Sequence, residues 1–166
     1  CPSTIDSWDC ANNSGLIQTR EDTAAGIVNA GVLNPANGTI NNIWTLSNTA
    51  AGSGDNEFDR LNATDLHPTS QVAYGVVSFA NENGFNGGIE QTYFIRFDSD
   101  NIEFVYEIDT KAGDTRGIAF DGAFTSTGDF YYTPDDDNLY RLPNPDGVTG
   151  YSDRSNANIP ADPSVL

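Results

Sequence analysis

Two stretches of this chain lie over one another without a gap. Residues 60–77, RLNATDLHPTSQVAYGVV, match residues 116–133, RGIAFDGAFTSTGDFYYT, at a shift of 56 positions. Arg60 meets Arg116, Ala63 meets Ala119, Asp65 meets Asp121, Thr69 and Ser70 meet Thr125 and Ser126, and Tyr74 meets Phe130. Further along, FIRFDSDN (94–101) lies over LYRLPNPDG (139–147) at a shift of 45, so the first copy carries 11 extra residues. The glycine-rich NENGFNGG marks the insertion. In each copy the order of features is strand, Asp-containing turn, strand, loop, strand with an arginine, turn, strand. Units of roughly 40–56 residues with four short strands cannot each bury a core alone; they stack on their neighbours.

The local pattern fits that reading. NNIWTLSN, QVAYGVVSFA, QTYFIRFDSD, NIEFVYEID, RGIAFDG, GDFYYTPD and NLYRLPN are rich in β-branched and aromatic residues, and Asn-Gly, Asp-Gly, Gly-Asp and Ser-Asp pairs punctuate them. In NIEFVYEID, Ile102, Phe104, Tyr106 and Ile108 alternate with Glu103, Val105 and Glu107, which predicts a strand with one buried face. Only REDTAAGIVNAGV offers a helical turn or two, and Gly26 and Gly31 weaken it. The class expected is all-β.

The repeats RGIAFDGAFTSTGDFYYTPDDDNLYRLPNPDG and NATDLHPTSQVAYGVVSF…TYFIRFDSDN resemble the blades of β-propeller repeat proteins of the extracellular or bacterial kind, over about residues 60–98 and 116–153. The resemblance implies a fold of short four-stranded antiparallel blades and no particular activity. A closed propeller takes at least about four blades of roughly 40 residues. This chain of 166 residues holds two recognisable blades (60–108 and 116–153), and VLNPANGTINNIWTL reads as a hairpin of another, turning at Asn37-Gly38. The expectation is an incomplete propeller or part of a larger one; the alternative is a single β-sandwich of eight to ten strands. The organisation expected is an N-terminal extension over 1–24, an all-β domain over 25–153 and an extended tail over 154–166. In the tail, Pro160 and Pro163 rule out a central strand.

Charge narrows the function. There are 24 acidic residues against 7 basic ones, a net charge of −17, and Lys111 is the single lysine. Such a surface repels phosphate backbones and anionic lipid, so neither nucleic-acid binding nor membrane insertion is expected. Two tryptophans, seven tyrosines and nine phenylalanines set it apart from a disordered acidic tail. Cys1 and Cys10 fit no zinc or redox spacing and are expected to close a short disulfide loop in an oxidising compartment, with pairing to other chains as the rival. Three N-x-[S/T] acceptors, at Asn12, Asn37 and Asn62, point the same way, to a secreted or cell-surface glycoprotein bearing N-linked glycans.

No catalytic constellation emerges. The sole histidine, His67, stands in the turn DLHPTS, there is no G-x-S-x-G elbow, and carboxylate abundance alone does not make a glycosidase. Calcium is the one cofactor expected, with Asp98 and Asp100 in DSDNIE and Asp135 and Asp137 in DDDN as oxygen donors. The EF-hand pattern fails in DSDNIE for want of its glycine and final acid, so a solvated turn competes at each place. Phe85, flanked by Gly84, Asn86, Gly87 and Gly88, is the apolar anchor of an interaction loop. The function expected is that of a non-enzymatic structural or adhesive module, partnered by copies of itself or by neighbouring extracellular modules. A calcium-dependent or carbohydrate-binding module is the alternative, and an extracellular hydrolase ranks third.

Overall fold

The computed structural model describes residues 5–11, 17–22, 27–47, 58–79, 91–99, 101–108, 121–133, 138–152, 156–158 and 164–165. They form three separate antiparallel sheets, none closed on itself, and no α-helix occurs among them. The first sheet holds β1 (Ile17–Asp22), β2 (Ile27–Asn34) and β3 (Thr39–Ser47). The middle sheet runs in chain order through β4 (Phe58–Leu66), β5 (Ala73–Phe79), β6 (Gln91–Phe97) and β7 (Ile102–Glu107). The third does the same through β8 (Asp121–Phe124), β9 (Phe130–Thr133), β10 (Tyr140–Leu142) and β11 (Ser164–Val165). The opening strands of the three sheets adjoin: β1 lies against β4, and β4 against β8.

Turn chemistry sets the hairpins. Between β2 and β3 the Asn34 side chain accepts from Ala36 N–H at 3.0 Å, and Gly38 takes a left-handed φ of 71° while donating to Asn34 O at 2.8 Å. This is the turn expected at Asn37-Gly38. Between β8 and β9, Thr125 N–H donates to Asp129 O at 2.8 Å, with Gly128 at φ 88°. The helical turn expected in REDTAAGIVNAGV is corrected: its ends belong to β1 and β2, which pair from Ile17↔Val32 to Asp22↔Ile27. Cross-strand pairing inside a stacked sheet overrides a weak local preference.

The middle sheet is buried on both faces. Leu61, Ala73, Val77, Tyr93, Ile95 and Phe97 pack toward the first sheet, where Ala30, Val32, Ile43 and Trp44 meet them. Tyr74, Val76, Phe94 and Val105 pack on the other side against Phe130, Tyr132, Tyr140 and Leu142 of the third sheet. This explains why β5 and β6 read as near-continuous apolar runs: each face has its own core. The single buried face expected for β7 is therefore corrected twice. Glu103 and Val105 are buried along with Ile102 and Phe104. The register also shifts between Phe94↔Tyr106 and Ile95↔Phe104, a bulge at Val105. An extra residue in one strand inverts the alternation beyond it, so Ile102 and Phe104 face the first sheet while Tyr106 and Ile108 face the third.

Described segments near both termini, 5–11 and 156–165 in part, pack onto the sheets. Trp8, 1% exposed, packs edge-on to Trp44 at 4.7 Å between ring centres and donates its backbone N–H to Gln71 O. Beyond β10 the chain returns along the outer edge of β7: Tyr151 exchanges backbone hydrogen bonds with Phe104, and Asn158 with Val105 and Glu107. It then adds β11 to β10. Thus part of the expected tail covers the edge of one sheet and extends another within the same chain, which answers the hazard of an open edge.

Candidate functional site

Strand register aligns four polar side chains across the third-sheet side of the middle sheet. Asp65 pairs with Tyr74, Tyr74 with Arg96, and Arg96 with Glu103, one from each of β4 to β7. Directly opposed residues share a face and lie within side-chain reach. Arg96 Nη2 and Nε both donate to Glu103 Oε2, at 2.6 and 2.7 Å, with both residues almost wholly buried. Arg96 Nη1 reaches on to Val148 O at 3.3 Å, and Tyr74 OH donates to Asp146 Oδ1 at 2.9 Å. At the near end, Asp65 Oδ2 accepts from Phe124 N–H of β8 at 2.7 Å. Three members of the row therefore hold elements of the third sheet or the turn that follows β10.

That turn is shaped to lie over the row. Asn144 adopts φ 40°, and Pro145–Gly147 forms one 3₁₀ turn that aims Asp146 back at Tyr74. Gly150 then crosses the Arg96–Glu103 pair. A Cβ there would sit 2.7 Å from Glu103 Oε2 and 3.0 Å from Arg96 Nη2, so a side chain is excluded. Burial forces the Tyr74 phenol well above its ordinary range; Arg96 pulls it down and Asp146 pushes it further up. It stays a neutral donor. Burial alone would lower Arg96, but hydrogen bonds to Tyr74 and Glu103 outweigh it and hold the guanidinium charged.

His67 joins the same network. Its Nδ1 lies 3.2 Å from Ser70 N, within reach of that backbone N–H. Nε2 is buried without a hydrogen-bond partner among the described residues and faces Gly128, where a Cβ would approach to 2.7 Å. Ser70 Oγ lies 3.0 Å from Nδ1 and donates to Asp146 Oδ1 at 2.9 Å. A nucleophile–base–orienter relay needs the histidine between serine and aspartate. Here serine stands in the middle and points its proton at the carboxylate, an order suited to clamping the β4–β5 turn onto Asp146.

Of the residues singled out from sequence, Asp98 is 2% exposed, and its oxygens accept from Asp6 N–H at 2.8 Å, Asn101 N–H at 2.7 Å and the Asn101 amide. It fixes the β6–β7 turn and the N-terminal segment. Asn37 is exposed at the tip of the β2–β3 hairpin, its Oδ1 accepting from the Thr39 hydroxyl at 2.8 Å, while Asn62 is half-buried within β4. Cys10 is a free thiol, half-buried beside Trp8 and its neighbours. Its expected partner Cys1 lies outside the described residues, as do Asp100, Asp135, Asp137, Phe85 and Asn12. Among the described residues, no three His, Cys, Asp or Glu side chains gather as a metal site.

Sequence reasoning missed the polar row. Its one legible signal is the arginine repeated inside an apolar strand, Arg96 in FIRF and Arg141 in LYRL. Comparison with known protein families, curated proteins and solved structures returned no match.

Proposed function

We propose that this chain is a non-enzymatic structural or adhesive module of extracellular kind, built as an arc of three successive propeller-type blades that works by associating with copies of itself. The observation that carries the reading is the adjacency of β1, β4 and β8, each the first strand of its own antiparallel meander. Side-by-side first strands of consecutive antiparallel units, here of three, four and four strands among the described residues, suit radial repetition of blades. An arc differs from a ring in leaving its two end sheets with an outer face each. The polar network here joins sheet to sheet, which suits a protein whose work is cohesion. Its acidic surface and the exposed acceptor at Asn37 fit a solvated, glycosylated exterior.

Sedimentation velocity over a wide concentration range tests this at near-physiological salt, where repulsion between chains of charge −17 is screened. The expected result is a reversible rise in mass with concentration. A single monomeric species throughout would remove the assembly reading.

A further inference from the structure

The third sheet carries, on the face turned away from the middle sheet, a row matching the one just described. Tyr131 pairs with Arg141 as Tyr74 pairs with Arg96, on the second and third strands of the unit. Ala123 precedes Tyr131 on β8 where Asp65 precedes Tyr74 on β4, and Ser164 follows Arg141 where Glu103 follows Arg96. The missing carboxylates are supplied nearby. Asp129 Oδ2 takes Arg141 Nη2 at 2.7 Å and Nε at 3.0 Å, and Asp121 stands two residues before Ala123 on the same face of β8. In the middle sheet this row is covered by the third. In the third sheet Asp121 and Ala123 are exposed, the Arg141 side chain is 39% exposed, and Tyr131 and Thr133 are half-buried. Leu139, two residues before Arg141, is one of two large apolar residues exposed among those described.

We infer that this face, formed by Asp121, Ala123, Tyr131, Thr133 and Arg141, docks the same face of a second copy of the chain. The inference rests on the assembly reading above and names its contact surface. Two arguments select a second copy. The face belongs to a unit whose twin already holds the segment after β10 through its tyrosine and arginine, so the chain itself uses this pair to fasten one unit to the next. It is also self-complementary: Asp121 on β8 and Arg141 on β10 carry opposite charges, two strands across and two residues along the sheet, about 12 Å apart. A two-fold axis through the point midway between them sets each Arg141 over the other copy's Asp121, the isologous arrangement of a closed dimer. Asp121 Oδ1 accepts from Gly122 N–H, and Oδ2 accepts no bond among the described residues, which leaves it for the partner. The aromatic surface of Tyr131 fills the centre, where interface aromatics contribute most.

Complementary charge variants test the pairing. Asp121→Arg sets two arginines face to face and Arg141→Glu sets two acids face to face, so each alone is expected to weaken self-association tenfold or more in sedimentation equilibrium. Mixed together, the two variants are expected to form a heterodimer at wild-type strength, since each contact then regains opposite charges. Circular dichroism checks that each variant is folded; if loss of the Asp129 partner unfolds Arg141→Glu, the Tyr131→Ser variant carries the same expectation of tenfold weakening. Association of wild type that is indifferent to all these changes overturns this face and leaves the assembly reading standing. A wild type that never associates overturns both.

Discussion

In the middle sheet, Arg96 stands between Tyr74 and Glu103 beneath a turn of the third sheet; in the third sheet, Arg141 stands between Tyr131 and Ser164 with nothing over it among the described residues. The strands, the order and the tyrosine–arginine pair are shared. What differs is the cover, and with it the way each arginine finds its counter-charge. Arg96, cut off from water, takes a carboxylate from the directly opposed residue of the next strand, which spends no further chain to satisfy it. Arg141 takes Asp129 from the turn before β9, an acid that also accepts Asn144 N–H at 3.1 Å. The same side chain therefore acts as a fastening in one sheet and as surface in the other.

The comparison breaks most readily at Glu103. Glu103→Ala leaves Arg96 charged and buried without its acid, so a loss of about 3–5 kcal/mol is expected in urea unfolding. Gly150→Ala comes next, at roughly 1–3 kcal/mol, because the added methyl meets the Arg96–Glu103 pair. Tyr74→Phe removes the hydrogen bond to Asp146 and the one shared with Arg96 and is expected to cost about 1–2 kcal/mol near neutral pH. Arg141→Ala, at a pair open to solvent, should fall below about 1 kcal/mol in the monomer. Equal costs for Glu103→Ala and Arg141→Ala would show that cover makes no energetic difference.

Alkaline pH sharpens the contrast. Burial raises the Tyr74 phenol, and Tyr106 is raised by burial as well, so the folded chain holds these protons more tightly than the unfolded chain. Their contribution is complete below the unfolded tyrosine value of about 10 and is lost as pH climbs from there through the folded values. Stability should thus decline above about pH 10. Tyr74→Phe should flatten that decline, as read from melting temperatures across the alkaline range.

Much of the strand content was legible in the sequence because turn pairs and β-branched runs declare it locally: β5, β6, β7, β9 and β10 fall within the segments read as strands, and β3 overlaps one from Asn41 on. The ungapped alignment of the two stretches set Tyr74 against Phe130, whereas strand register pairs Tyr74 with Arg96 and Tyr131 with Arg141. Turn lengths differ by one residue between the copies, Leu66 to Ala73 against Phe124 to Phe130, and no pattern of residue types reports that. The bulge at Val105 was hidden for a related reason: NIEFVYEID alternates correctly for a flat strand, and only pairing with β6 reveals the inversion. The polar row was invisible because its members lie up to 38 residues apart, from Asp65 to Glu103, and meet only once four strands are in register. Trp8 was read as part of an extension; its burial depends on a pocket built by Trp44 and Phe97 from distant strands.

Hydroxyl-radical labelling followed by mass spectrometry, across a dilution series spanning the association range, reads the contact face residue by residue. Tyr131 and Leu139 should lose reactivity as concentration rises, while Tyr74 stays protected at every concentration and Tyr151, exposed at the edge of β7, stays reactive. Reactivity of Tyr131 that stays constant while the protein associates would contradict the account.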